Sequence, residues 1–266
     1  MIYSTNFDND ILVNEAVQEL KDASFDYIIA KESGETNLSE LAEIITEAED
    51  KVENTKKLSI LKRAQANIAR MKKNKAIIEK YKDRALSADV SGLSVKVYDT
   101  SSTSVNKYIK ACNAASAKFR AIIKKANGEL SKEQVKELNN EIKSVIAERD
   151  KVIKEVESTT EKRSTVLNIS QADVKKAISF IESGKAEKAV AKAAQDINNS
   201  AAANKNDIIK NQNGNPIQKR LVKYINSNNF MIASVKYMAA VHSADNARGI
   251  ITTAAYASSK KNKEDE

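Results

Sequence analysis

The stretch Val105-Asn106-Lys107-Tyr108-Ile109-Lys110-Ala111-Cys112-Asn113-Ala114-Ala115-Ser116-Ala117-Lys118-Phe119-Arg120-Ala121-Ile122-Ile123-Lys124-Lys125-Ala126-Asn127-Gly128 decides the fold class. Val105, Tyr108, Ile109, Cys112, Ala115, Phe119, Ile122, Ile123 and Ala126 recur at three- and four-residue spacing, which sets them on one helical face. Asn127-Gly128 closes that helix, because glycine takes the left-handed cap conformation at no steric cost. Ser131 and Gln134 then stand at capping-box spacing. Behind them Val135, Leu138, Ile142, Val145, Arg149, Val152 and Val156 form a heptad seam with a single charged member. Two such patterns joined by a tight turn predict an antiparallel αα-hairpin.

Downstream, Ser170 and Asp173 cap a helix carrying Val174, Ala177, Ile178 and Ile181, which Gly184 ends. Residues 185–213 are rich in Ala, Asn and Lys, and Ala186, Ala189, Val190, Ala193, Ala194 and Ile197 give them only a weak apolar face. A lightly packed helix is expected there. Asn211–Asn215 reads as a turn, and Pro216 suits the first position of a helix. That last helix carries Ile217, Leu221, Tyr224, Asn228, Met231, Val235, Met238, His242 and Asp245 on its seam and is expected to reach about Ala257. The charged tail 258–266 is expected to be disordered.

Upstream, a first helix is expected from Asn9 or Asp10 to Lys31, with Val13, Val17, Leu20, Ser24 and Tyr27 on one face. After a loop, Asn37 and Glu40 open a second helix by a capping box. Its seam runs Leu38, Leu41, Ile45, Ala48, Val52 and Thr55, slips near Leu58–Leu61, and resumes at Ala64, Ile68, Met71, Ile78 and Tyr81. Nothing between Leu38 and Leu86 breaks a helix, so one rod is preferred over a fold-back near Glu53–Lys57. Leu93–Tyr98 and Ser164–Ile169 are the β-branched exceptions, and they are expected to pair as a small ribbon supported by the helices behind it.

Composition agrees with this pattern. The 266 residues include one Pro, six Gly, one Cys, one His and no Trp, with 41% hydrophobic and only 5% aromatic residues. A core of Ala, Ile, Leu and Val follows. The expected fold is all-α, an elongated bundle of long helices with αα-hairpins and one small two-stranded β ribbon. Its organisation reads as 1–86, an acidic helix plus a long basic one; 87–169, a strand-like linker and the αα-hairpin; 170–257, the C-terminal helices; and 258–266, the tail.

Several chemistries are not expected. No run approaches the ~20 apolar residues of a membrane span. The opening Met1–Asp8 has neither the basic nor the apolar region of a secretory leader. A lone Cys112 cannot form an internal disulfide or a cysteine zinc site, and on an apolar face it reads as a small buried hydrophobe. One histidine excludes sites that need two. Asp8-Asn9-Asp10 lacks the glycine and glutamate that a calcium loop requires, and no glycine loop cradles phosphate. His242 and Asp245, three apart, are expected to satisfy each other, while Ser243 lies off their face. No catalytic residue, metal ligand, cofactor or small-molecule substrate is therefore expected.

Charge supplies the remaining signal. The net +8 conceals two lysines against thirteen acids in residues 1–50, and twelve basic residues against three acids in residues 51–84. Three readings fit: a solvated helix face, an acidic first helix docked on the basic stretch, or contact with nucleic acid. The last would use Lys56, Lys57, Lys62, Arg63, Arg70, Lys72, Lys73 and Lys75 against phosphates. Few aromatics and an excess of lysine over arginine suit nonspecific contact rather than base readout.

The acidic start Phe7-Asp8-Asn9-Asp10-Ile11-Leu12-Val13-Asn14-Glu15-Ala16 precedes several long Lys/Asn-rich helices. A closing helix then runs from Lys219-Arg220-Leu221-Val222-Lys223-Tyr224 to Ala254-Ala255-Tyr256. This ordering is similar to that of the small helical minor virion proteins of large tailed bacteriophages. The resemblance implies a structural part of a particle, present in copies, without catalysis, and assembled in the host cytoplasm. Its expected partners are copies of itself or other virion subunits, met through helix–helix contacts. The alternative is an internal nucleic-acid-associated protein using residues 51–84.

Overall fold

The computed structural model describes residues 11–33, 38–98, 100–161, 164–196 and 215–264. The expected caps at Asp10 and Asn37, and the segment 197–214, lie outside them. The chain divides into two compact units, one from Ser4 to Gln65 and one from Ala66 to Glu266. Both units are helical, and the second adds one small antiparallel sheet.

The first unit contains α1 (Ile11–Ser33) and the N-terminal part of α2 (Leu38–Ser87). Ala16 and Ala30 of α1 are buried, as are Ala48 and Val52 of α2. Glu19 of α1 pairs with Lys51 of α2 at 2.5 Å, a contact of the expected acid-on-base kind. Both partners are half exposed, so the pair contributes little to stability. α2 is a single helix through Glu53–Lys57, as its lack of breaking residues predicts.

The second unit begins within α2. Met71, Ile78 and Ala85 are buried at seven-residue steps. Tyr81, placed on the seam by its spacing from Ile78, is instead 38% exposed, because the heptad step from Ile78 leads to Ala85. There follow β1 (Ser94–Tyr98), α3 (Ser102–Lys125), α4 (Lys132–Glu161), β2 (Ser164–Asn168), α5 (Gln171–Glu182), α6 (residues 185–196) and α7 (Pro216–Glu264). β1 and β2 pair antiparallel, with Ser94 opposite Asn168, Lys96 opposite Val166 and Tyr98 opposite Ser164. The αα-hairpin of α3 and α4 is present, with Gly128 in its turn at φ +88°. α7 continues to Glu264, past the end near Ala257 that its apolar seam predicts.

α7 is the axis of this unit. Its start packs Ile217, Leu221 and Ile225 with Phe119, Ile122 and Ile142 of the hairpin. Midway, Val235 meets Tyr108, Cys112, Ile153 and Val156. Further on, Ala247, Ile250, Ile251 and Ala254 close on Ile78 and Ala85 of α2, on Val174 and Ile178 of α5, and on the ribbon. Full burial of one such aliphatic side chain stabilises by roughly 1.5–3 kcal/mol. Ile153 takes the buried place in the α4 seam while Val152 is only partly buried, a one-residue drift from the strict heptad.

Helix termini are tied across the unit. Asn215 caps α7 by accepting from the Gln218 backbone at 3.0 Å, and its Nδ2 donates to the Ala126 carbonyl at the end of α3 at 2.7 Å. Gln171, at the start of α5, donates to the Ala88 carbonyl just past α2 at 2.6 Å. One helix start thus satisfies carbonyls that another helix leaves open at its end.

Candidate functional site: the basic helix and the polar layer

α2 carries the cations expected to touch phosphate, and the division between the units falls among them. In the first unit Lys62 is exposed and Lys56 and Arg63 are partly buried; the Lys57 side chain lies outside the described residues. In the second unit Lys72 and Lys73 are exposed. Their neighbours are engaged. Arg70 pairs with Asp245 of α7 at 3.2 Å, and Lys75 donates to the Glu182 carbonyl of α5 at 3.3 Å. Lys82 pairs with the Glu182 carboxylate, whose hydrogen bond and charge hold that ammonium above the usual lysine range. This part of the basic stretch fastens α2 onto α5 and α7 and leaves Lys72 and Lys73 facing water.

His242 and Asp245 are drawn to other elements. The Asp245 carboxylate meets Arg70, and the His242 ring lies 4.3 Å from that of Tyr98, tilted by 34°. The expected mutual pair is replaced because both neighbours, β1 and α2, press against this stretch of α7. Cys112 is fully buried, and burial raises its thiol to about 11, opposed in part by the nearby Arg149 charge. At neutral pH it is therefore held as the thiol and not as the reactive thiolate.

A buried polar layer crosses the hairpin and α7. Asn228 has no exposed surface. Its Nδ2 donates to Ser116 Oγ at 3.0 Å and to the Cys112 carbonyl at 3.3 Å. Its Oδ1 accepts from Arg149 Nη1 at 2.7 Å, and Arg149 also pairs with Asp150 at 2.8 Å. Sequence reasoning placed Arg149 and Asn228 as polar members of two separate seams but did not join them. The signal that could have done so is that each interrupts an otherwise largely apolar seam, and a buried polar group needs a partner.

An open groove of about 440 Å³ lies between α6 and α7. Ala189, Ala193 and Ala240 form apolar lining, and Lys185, Lys192, Lys236 and Asp196 supply charge of both signs. Among the described residues, no group of three or more His, Cys, Asp or Glu converges to hold a metal ion. No helix among them is long and apolar enough to cross a membrane. No family model matches the chain, and no match emerged among curated proteins or solved structures.

Proposed function

We propose that this chain is a non-enzymatic structural or assembly protein, a component of a virus particle of the tailed-phage kind. It acts through helix–helix contacts with copies of itself or with other subunits of the particle. The observation that carries this reading is where the chemically versatile side chains are placed. Cys112 is buried as a thiol, Arg149 and Asn228 lock α4 to α7, His242 stacks on Tyr98, and Asp245 holds Arg70. Each serves packing between elements. The resemblance in the ordering of helices supplies the setting.

Mass spectrometry of purified particles from the source is the test. The polypeptide is expected among the particle proteins in multiple copies, and its absence from them overturns the virion assignment. A binding series on duplex DNA at rising salt addresses the basic stretch. The structural reading expects no measurable affinity. Tight binding that falls steeply with salt would put the nucleic-acid reading in its place.

A further inference from the structure

We propose that the free edge of β2 pairs antiparallel with β2 of a second copy of this chain, joining two ribbons into one four-stranded sheet. The inference does not depend on a virion role. Among the described residues the sheet has two strands, so each has one edge without a described strand beside it. The protein treats the two edges differently. On β1, the Asn246 side chain of α7 accepts from the Tyr98 N–H and donates to the Tyr98 carbonyl, both at 2.8 Å, occupying the positions a neighbouring strand would take. Lys96 adds a charge at mid-strand. These are devices that keep an edge from pairing further.

Among the described residues, β2 carries neither device. Its residues Ser164-Thr165-Val166-Leu167-Asn168 contain no charge, proline or glycine, in a chain that is 30% charged. Val166, at its centre, is 68% exposed.

The register fixes which backbone groups face outward. Tyr98 directs its N–H and C=O toward Asn246, hence away from β2, whereas the Leu93 carbonyl accepts from the Ile169 N–H across the ribbon. Residues of an antiparallel pair alternate between these two arrangements. Lys96 and Ser94 therefore share the outward state of Tyr98. Their partners Ser164, Val166 and Asn168 present N–H and C=O on the open side of β2.

The occupant follows from that pattern. A two-fold axis at Val166 sets Val166 against its counterpart in the second copy and Ser164 against Asn168, so every outward donor meets an outward acceptor. No like charges oppose each other, as the Lys96 side chains would if β1 paired with itself. The contact is isologous, using the same surface on both copies, and it closes at two. It also covers the exposed Val166 side chains against each other.

Sedimentation of the full-length chain over a series from low to high micromolar concentration is the test. A monomer–dimer equilibrium is expected. Val166→Lys sets two ammonium groups opposite each other and is expected to weaken association several-fold or more, while Val166→Thr leaves it close to that of the parent. Circular dichroism of Val166→Lys is expected to match the parent, since the side chain already faces water. Val166→Cys is expected to form a disulfide-linked dimer with oxidised glutathione, because hydrogen-bonded antiparallel partners stand about 5.5 Å apart at Cα, within disulfide reach. A chain that is monomeric throughout overturns the proposal. So does self-association that Val166→Lys leaves unchanged, a result that would still permit assembly through helices.

Discussion

At Ser170 and Asp173 a local sequence pattern becomes a titratable contact. Ser170 Oγ accepts from the Asp173 N–H at 3.2 Å, and the Asp173 carboxylate accepts from the Ser170 N–H at 3.0 Å and from its hydroxyl at 2.5 Å. Those bonds hold the Asp173 carboxyl below its usual 3.8. A depressed carboxylate pKa contributes stability that is fully present above the unfolded value and lost as pH falls through the folded one. Ser170→Ala is expected to cost about 1 kcal/mol at neutral pH, as the loss of an N-cap does. Denaturant titrations of parent and variant should show that difference narrowing below about pH 4, where the parent loses its advantage. A difference that stays constant to pH 2 would assign the loss to the backbone cap alone.

Among the elements, the hairpin and α7 show what their sequences disclosed and what they withheld. The faces of α3 and α4, the glycine turn and the boxes at Ser131 and Ser170 were legible because each depends on residues a few positions apart; the ribbon's pairing is long-range, and it was legible because its two strands are the β-branched exceptions in a helical chain. Val152 was misplaced because a seam of fixed period cannot register the small drift between a heptad and the 3.6-residue turn, and Tyr81 because it lies three residues past Ile78, off the seven-residue row that leads to Ala85. The partner of Asp245 was not legible at all: Arg70 lies far away in the chain, and only tertiary packing chooses it over His242. The eight candidate cations were readable as charge but not as contacts, so the engagement of Arg70 and Lys75 had to come from the structure. For the polar layer, Asn228→Ala is expected to destabilise by about 2–3 kcal/mol, because it removes the Arg149 acceptor and the Ser116 donor inside the core. Joint replacement Arg149→Met with Asn228→Leu is expected to recover most of that loss, since apolar packing can replace a buried polar set. Thermal unfolding of the single and double variants decides it, and a double variant no better than the single would locate the cost elsewhere.

Over the whole molecule, the two units differ in what they bury. Among the described residues, the first buries Ala16, Ala30, Ala48, Val52 and Ala64, whereas the second encloses Phe119, Ile122, Leu221 and Ile251 completely. Local opening costs least where few apolar contacts hold a segment. Native-state hydrogen exchange is therefore expected to protect amides of α7 between Leu221 and Ala255 by many-fold more than those of α1, and equal protection would contradict the contrast in cores. The central placement of α7 also bears on how the polypeptide is made. Every element it packs against precedes it in the chain, so the core cannot close until translation has passed Ile251. At about 5–20 residues per second, the interval from Val105 to Val235, the last buried partner of the hairpin in α7, lasts roughly 7–26 s. Until then the nascent hairpin carries, open to other chains, the apolar flank that α7 covers in the finished protein.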